Sequence, residues 1–470
     1  MTAGRKTKAV LAAILLAGAA LGSGRPRAQS ASAGQAAYPD RLAITPPMGW
    51  NSYDAYWGDV TEQEVRANAK YMAEHLKSYG WKYIVVDYYW YFPHPQRGLS
   101  EENLEVGMDP YGRLLPAVNR FPSAAGGKGF KPLADYVHSL GLKFGIHIMR
   151  GIPRAAVARN LPILGTRAHA ADVVDPGNTC SWSTAMYGVD VSKPAGRAYY
   201  DSMAQLYASW GVDFIKADDM SQGSNPKGET YHRPEIEALR KAMNATGRPM
   251  VLSLSPGATP LADAANVSRF SQMWRMSDDM WDNWPEVRRQ FDLTRDWEQF
   301  AGPHHWPDAD MLPLGRIRIR GYGNREPDRT QLTHDEQTTM MTLWSMARSP
   351  LMMGGDLPSL DSWTLALLTN PEVLAVDQHS IGNRELLEPE NGREAVWEAK
   401  TRDGKAKYVA LFNRGKAAAE VAVTWPELGV AGKQRVRDLW QRRDLGVYQD
   451  RFSETIPPHG AGLYELLPMP

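Results

Sequence analysis

The strongest constraint on the fold is a unit that recurs along the chain, in which an amphipathic helix, a glycine and a short apolar strand follow one another. In the first unit, apolar residues repeat at helical spacing, Gly80 ends the helix, and residues 83–87 form an apolar run that ends in a carboxylate. Similar units follow, and together they predict eight strands, at residues 48–50, 83–87, 143–148, 212–216, 250–254, 270–275, 306–312 and 350–353.

Continuous apolar strands that alternate with helices are typical of a parallel sheet covered on both faces. Eight such units predict an α/β fold, a (β/α)8 TIM barrel, over residues 40–384, with a doubly wound open sheet as the structural alternative. The pattern then changes to short alternating stretches, which predict a small C-terminal antiparallel β-sandwich over residues 385–470. Its predicted strands cover residues 394–400, 407–413, 419–424, 434–439 and 461–466.

The N-terminus has the layout of a secretory signal peptide. Three basic residues, Arg5, Lys6 and Lys8, precede an apolar stretch over 9–21 and an Ala-Ser-Ala cleavage pattern at 31–33. We expect residues 1–33 to be removed and the mature protein to be periplasmic or secreted. No later stretch reaches the length of an apolar membrane span, so we expect no membrane association after cleavage.

Charge and cysteine content exclude several classes of protein. Lys and Arg together number 53, and Asp and Glu together also number 53, so the formal net charge is zero. This balance of charge argues against a nucleic-acid partner or an anionic-membrane partner. The single cysteine, Cys180, excludes a disulfide scaffold and a cysteine-based zinc site. The sequence contains no signal for an oligomeric state.

Charged residues lie at the ends of several predicted strands, where a TIM barrel carries its active site. Alternation along a strand places Lys216 and Asp218 on one face, and it places Arg275 and Asp279 together in the same way. Each carboxylate thus has a cation that favours its ionised form. Two carboxylates with cations and aromatic residues are typical of glycoside hydrolysis. The alternative for each aspartate is a cap on the following helix.

Other candidate sites are weaker. Asp308 and Asp310 suit either a metal ion or a structural turn, and the histidines at 147, 304 and 305 lack the helical spacing of a metalloprotease pair. A serine-hydrolase elbow, a phosphate-binding loop and a dinucleotide-binding motif are absent from the sequence. A metal-dependent hydrolase on a barrel stays open as an alternative class.

From about residue 42 to the C-terminus, the chain resembles glycoside hydrolase family 27, the α-galactosidase or melibiase family. The resemblance implies a barrel with a C-terminal β-sandwich, a retaining mechanism, an oligo- or polysaccharide substrate, and no metal or organic cofactor. Seven segments carry it in family order, at residues 45–53, 83–87, 211–218, 274–279, 306–312, 349–357 and 370–378.

The resemblance also implies roles for single residues. Asp218 takes the position of the family's nucleophile, and Asp279 that of its acid/base. The remaining implied residues are expected to bind substrate, and they are Trp50, Tyr53, Asp87, Lys216 and Arg275.

Two positions depart from the family pattern. Asp87 matches the first of two adjacent aspartates that bind galactose, but Tyr88 replaces the second. We expect Tyr88 to contact the substrate, where it either restores one hydrogen bond through its hydroxyl or fills the space of a CH2OH group. Ser255 replaces a glutamate of the fifth strand, and we expect it to contact the 2-hydroxyl instead.

The resemblance therefore predicts an α-galactosidase that hydrolyses terminal α-D-galactosyl residues by double displacement. Within the family, the alternatives are a β-L-arabinopyranosidase, whose sugar lacks the CH2OH group of galactose, and an isomalto-type α-glucan hydrolase. A non-catalytic carbohydrate-binding protein is the alternative of another class, although it would not need Asp218 and Asp279 together.

Overall fold

A computed structural model describes residues 41–95, 101, 104–221, 230–255, 257–320, 328–388 and 392–469. The predicted signal peptide, residues 1–33, lies outside these ranges. Within them, no helix combines the length and apolarity that a membrane crossing requires.

Eight parallel strands form one sheet that closes into the predicted barrel. The strands are β1 (Met48–Asn51), β2 (Tyr83–Val86), β3 (Lys143–Met149), β4 (Phe214–Asp218), β5 (Val251–Leu254), β6 (Met273–Arg275), β7 (Trp306–Asp308) and β8 (Leu351–Met353). Their order in the sheet is β7-β6-β5-β4-β3-β2-β1-β8. A parallel bridge between Leu312, just after β7, and Met353 of β8 joins the two ends.

Helices follow the strands and cover the outside of the barrel. The longer ones span Glu62–Tyr71, Lys131–Ser139, Pro194–Ser209, Arg233–Ala245, Ala264–Phe270, Trp284–Trp297, His334–Ala347, Ser362–Leu368 and Pro371–His379. Short α-helices span Tyr53–Tyr56, Arg154–Ala158, Ala170–Val173 and Trp425–Leu428, and a π-helical turn, Met72–Leu76, extends the first long helix.

Local sequence signals set where these helices begin and end. Thr61 and Glu64 form a capping box at the start of the first long helix, and the Asn283 side chain accepts a hydrogen bond from the backbone of Glu286. Gly80 and Gly211 lie directly before the turns into β2 and β4 with φ of 103° and 88°. Glycine adopts this left-handed conformation without steric cost, so the chain can turn from helix to strand there.

The loop between β3 and the helix Pro194–Ser209 is unusually long and carries three short antiparallel strands. These are Ile152–Pro153, Val174–Asp175 and Met186–Val189, with the last in the middle. This long loop begins at the carboxyl end of β3. Its segment 176–185 contains Trp182, which lies at the mouth of the barrel.

The C-terminal part is antiparallel, as predicted. Its strands are β9 (Ile381–Leu387), β10 (Glu394–Lys400), β11 (Lys407–Asn413), β12 (Ala419–Thr424), β13 (Lys433–Asp438), β14 (Arg443–Gln449), β15 (Arg451–Ile456) and β16 (Ala461–Pro468). The larger sheet has the order β9-β10-β11-β16-β13-β14, and a second sheet pairs β12 with β15.

Several predicted boundaries differ from the structure. Phe270 ends a helix, and the sixth barrel strand begins only at Met273. Strand β7 ends at Asp308, because the following residues turn sharply, with a φ of 84° at Asp310. The first strand of the C-terminal sheet begins at Ile381, before the boundary predicted at residue 385.

Candidate active site

A cavity of about 340 Å3 opens at the carboxyl ends of the barrel strands. Strands β4 and β6 supply its walls together with segments that follow seven of the eight strands, β1 to β7. Most of its polar residues are carboxylates, with one lysine and one arginine among them. Its described lining is Tyr53, Asp54, Asp87, Tyr88, Trp182, Lys216, Asp218, Asp219, Ser221, Gly257, Arg275, Asp278, Asp279, Met280, Trp281, Asp310 and Met311.

Asp87, directly after β2, is held by three hydrogen-bond donors. Its Oδ2 accepts from Asn51 Nδ2 at 2.6 Å and from Lys216 Nζ at 2.9 Å, and its Oδ1 accepts from the Tyr88 amide at 2.7 Å. Burial would raise the pKa of Asp87, but Lys216 and then His147 outweigh it and lower the pKa to about 2. The site therefore presents a fixed negative charge beside a fixed positive one, and this arrangement suits sugar hydroxyls.

Asp218, the last residue of β4, faces the imidazole of His147 from the neighbouring strand β3. His147 Nε2 lies 2.7 Å from Asp218 Oδ2. Burial would raise the pKa of Asp218, but His147 and Lys216 together bring it below its ordinary value. Its second oxygen, Oδ1, is buried and has no hydrogen-bond partner among the described residues.

Asp279 also lines the cavity, four residues after the end of β6. Its side chain is 55% exposed, and Arg275 Nη1 lies 3.3 Å from its Oδ1. The same guanidinium pairs with Asp310, with Nη2 2.7 Å from Oδ2. Asp279 is thus anchored at the cavity wall and open to water, as a group that exchanges protons must be.

Asp308 and Asp310, the possible metal pair of the sequence, form a hydrogen-bonded turn. Asp308 Oδ1 accepts from the Asp310 amide at 3.0 Å, and Asp310 accepts from the amides of Met280 and Met311. The described residues contain no group of three or more His, Cys, Asp or Glu side chains arranged to hold a metal ion. Asp310 acts instead as the partner of Arg275.

Tyr88 lines the cavity with its ring, but its hydroxyl is engaged elsewhere. The hydroxyl donates to Glu101 Oε1 at 2.8 Å and lies 3.1 Å from Ser183 Oγ. The ring stacks on Tyr89, with centroids 3.9 Å apart, and meets His147 edge to face. These contacts leave Tyr88 as an apolar wall at the place where the resemblance predicts a second aspartate.

Two of the predicted substrate-binding residues do not line the cavity. Trp50 is fully buried in the barrel core, and its Nε1 donates to the Gly355 carbonyl at 2.9 Å. Ser255 is buried at the end of β5, and its Oγ has no partner among the described residues. Tyr53 does line the cavity, with its ring 5.9 Å from Lys216 Nζ.

Sequence reasoning did not assign roles in the site to His147, Asp54, Glu101 or Trp182. His147 could have been found, because it shares a register position with Lys216 on the neighbouring strand. Asp54 is buried, lines the cavity, and has an oxygen without a partner among the described residues. Its burial and the charge of Asp310 raise the pKa of Asp54 well above its ordinary value, so a neutral carboxyl can donate a hydrogen bond there.

Comparisons with known proteins show the family of the chain. The profile of a family described as alpha galactosidase A matches residues 187–379, and that of the alpha galactosidase C-terminal beta sandwich domain matches residues 391–466. The chain is similar to alpha-galactosidase 2 of Arabidopsis thaliana, with 29% identity over 90% of each chain.

A solved structure is more similar still. It is a GH27 β-L-arabinopyranosidase from Geobacillus stearothermophilus, with 50% identity, a TM-score of 0.88, and coverage of 91% of this chain and 98% of that one. A variant of the same enzyme, in complex with arabinose, is 49% identical with a TM-score of 0.88 and covers 92% of this chain and 99% of its own. Because both family models match the chain and a GH27 enzyme is 50% identical to it over 91% of its length, the chain belongs to glycoside hydrolase family 27.

Proposed function

We propose that this protein is a retaining exo-glycosidase that prefers terminal β-L-arabinopyranosyl residues. The observation that carries the choice of sugar is the direction of the Tyr88 hydroxyl, which donates to Glu101 rather than into the cavity. A tyrosine whose hydroxyl is already bonded fills space and offers little to a sugar hydroxyl. The sugar it suits is one with no CH2OH group at that place.

The retained polar residues fit the rest of the ring. L-Arabinopyranose in its β form shares the ring stereochemistry of α-D-galactose but has hydrogen in place of CH2OH. Asp87 and Lys216 can still bind the axial hydroxyl, since their 2.9 Å contact presents both a donor and an acceptor to the cavity. Loss of a second aspartate removes a charge-assisted hydrogen bond, of about 1.5–3 kcal/mol, that a CH2OH group would otherwise gain.

The mechanism we propose has two displacements. A carboxylate oxygen of Asp218 attacks the anomeric carbon, while the bond to the leaving-group oxygen breaks and Asp279 donates a proton to that oxygen. In the second step, Asp279 takes a proton from water, the resulting hydroxide oxygen attacks the anomeric carbon, and the ester bond to Asp218 breaks. Two inversions leave the configuration of the anomeric carbon unchanged.

The electrostatics support these roles. Asp218 has a lowered pKa because of His147 and Lys216, so it is ionised and ready to attack. Asp279 is more exposed and faces the cavity mouth, where a leaving group departs and water enters. The 50% identity to a β-L-arabinopyranosidase also supports the proposed sugar.

An α-galactosidase is the second candidate. Asp87, Lys216 and Arg275 all line the cavity, and a curated relative at 29% identity is named an alpha-galactosidase. This candidate requires that the CH2OH group of galactose fits beside the Tyr88 ring. An α-glucoside, the substrate of the isomalto-type alternative, would present an equatorial 4-hydroxyl to Asp87 instead.

The test compares kcat/KM for p-nitrophenyl β-L-arabinopyranoside, α-D-galactopyranoside and α-D-glucopyranoside. We expect the wild type to prefer the arabinoside by about tenfold or more, in line with the discrimination that one added carbon produces in a closed pocket. Tyr88→Asp should move the preference toward the galactoside, and the matched variant Tyr88→Phe should keep it. A wild type that prefers the galactoside would overturn the proposal in favour of the second candidate.

We also propose that the protein acts in the periplasm or outside the cell. The N-terminal pattern of basic, apolar and Ala-Ser-Ala segments supports this. Intact-mass analysis of the protein after expression with an active export system should show a mature chain that begins near residue 34. Retention of Met1 and the apolar segment in the exported fraction would contradict it.

A further inference from the structure

Trp182 is a large apolar side chain at the mouth of the cavity. It lines the cavity and is 44% exposed, whereas Asp87, Lys216 and Asp218 lie deeper. Its ring meets Tyr88 edge to face, with centroids 5.6 Å apart. An indole that keeps nearly half of its surface in water beside a binding site offers a flat apolar face to a ligand.

The segment that carries Trp182 is tied to the cavity wall through one buried carboxylate. Glu101 Oε2 accepts hydrogen bonds from Ser183 Oγ and from the Thr184 amide, the latter at 3.0 Å. Its other oxygen, Oε1, accepts from the hydroxyls of Tyr88 and Tyr89. A single buried side chain thus joins the loop after β2 to the loop after β3.

This arrangement places Trp182 on the side from which the leaving group departs. In an exo-acting pocket the terminal sugar occupies the closed end, and the deep residues Asp87 and Lys216 mark that end. The exposed residues Asp279 and Trp182 mark the open end. The acid/base must lie next to the leaving-group oxygen, so the next ring of the substrate extends toward the open end.

We propose that Trp182 forms a stacking platform for a second pyranose ring in the leaving-group position, and that Glu101 is a positioning residue that holds this platform against Tyr88. The inference rests on the proposed exo-glycosidase function, and it names the substrate class as disaccharides and longer glycans rather than glycosides of small alcohols. It holds for either candidate sugar, because it concerns only the leaving group.

The test uses two substrates with the same terminal sugar, chosen as the best sugar of the wild type. The first substrate is the methyl glycoside of that sugar, and the second is a disaccharide that links the same sugar to a second pyranose. Both leaving groups are alkyl alcohols, and only the disaccharide has a sugar ring in the leaving group. Aryl glycosides are avoided because an aryl ring can itself stack on Trp182. The readout is the ratio of kcat/KM for the disaccharide to kcat/KM for the methyl glycoside.

Trp182→Ala should lower this ratio about tenfold, mainly through a higher KM for the disaccharide. Trp182→Phe, which keeps an aromatic face, should recover part of the loss. Ser183→Ala, which removes one anchor of the loop and leaves the indole, should lower the ratio by a smaller factor in the same direction. An unchanged ratio in Trp182→Ala would overturn the proposal.

Glu101→Gln provides the second measurement. It should lower the ratio in the wild-type background but have little further effect in a Trp182→Ala background, since the platform is then already lost. Equal effects in both backgrounds would show that Glu101 does not act through Trp182. A wrong assignment of the terminal sugar would appear in the comparison of sugars and would not move this ratio.

Discussion

His147 Nε2 lies 2.7 Å from Oδ2 of Asp218, on the strand next to the one that ends in this aspartate. The imidazole is fully buried. It is therefore an electrostatic partner of the proposed nucleophile, in addition to Lys216. The pH dependence of the reaction follows from this pair.

The first prediction concerns the acid limb of kcat/KM. The reaction needs ionised Asp218, whose pKa in the folded protein is lowered, so activity should persist below the ordinary pKa of an aspartate and be lost as the pH falls through the lowered value. His147→Leu removes the imidazole and should move the acid limb to higher pH. A kcat/KM profile from pH 3 to pH 7 measures the shift. His147→Gln keeps a polar group without the imidazole, and the prediction fails if both variants show the wild-type limb.

The second prediction separates the roles proposed for the two carboxylates, Asp218 and Asp279. Asp218→Asn should abolish hydrolysis of every substrate, because no glycosyl-enzyme can form. Asp279→Ala should reduce kcat/KM for glycosides of alkyl alcohols by about 10²- to 10⁴-fold and spare those with strongly acidic phenol leaving groups, which need no proton. Steady-state rates over a series of leaving groups measure this. Equal losses across the series would contradict the acid/base role of Asp279.

The stereochemical outcome tests the same pair. Proton NMR within the first minutes of hydrolysis should show the sugar released in the anomeric configuration of the substrate, since double displacement retains it. Release of the opposite anomer would indicate direct attack by water and would remove Asp218 from the role of nucleophile.

The third prediction concerns stability and a carboxylate outside the site. Asp377 is fully buried at the end of the last barrel helix, and burial raises its pKa to about 8 although Gln378 and Arg348 oppose this. The folded protein therefore binds a proton that the unfolded chain releases near pH 4, so stability should fall as the pH rises from about 4 to 8. Asp377→Asn removes this titration.

Relative to the wild type, Asp377→Asn should gain stability between pH 5 and pH 8, by at most about 4 kcal/mol. Urea unfolding at pH 5, 6.5 and 8 measures the difference in free energy of unfolding. The exposed Asp135, paired with Lys131, provides Asp135→Asn as a control for the replacement of an aspartate at the surface. A difference for Asp377→Asn that does not change with pH would contradict the prediction.

Much of the barrel was predictable because its strands are buried on both sides and read as continuous apolar runs. The Gly80 and Gly211 stops, with their positive φ, marked the turns into two strands. Predicted strand boundaries were wrong where the apolar pattern was ambiguous. Phe270 is an example, because its apolar side chain suits a strand but the residue ends a helix. Strand β9 was missed because its side chains are exposed or half-buried and show no apolar alternation.

The strand-end residues of the site were predictable for a related reason. Asp87, Lys216, Asp218 and Arg275 lie on or next to barrel strands, and parallel strands bring their carboxyl ends to one edge of the sheet. Trp50 and Ser255 show the limit of this reasoning. Both occupy motif positions at strand ends, yet the packing of the barrel buries them away from the cavity lining.

By itself the sequence determined the alternation of strands and helices, the C-terminal change to antiparallel strands, and the placement of charged residues at strand ends, because these depend on local periodicity. Only the tertiary structure decided what Tyr88 does. Its hydroxyl could have pointed into the cavity or away from it, and its partners Glu101 and Ser183 lie 13 and 95 residues further along the chain. No local pattern encodes contacts between loops of different strands, since their geometry follows from the closure of the whole barrel.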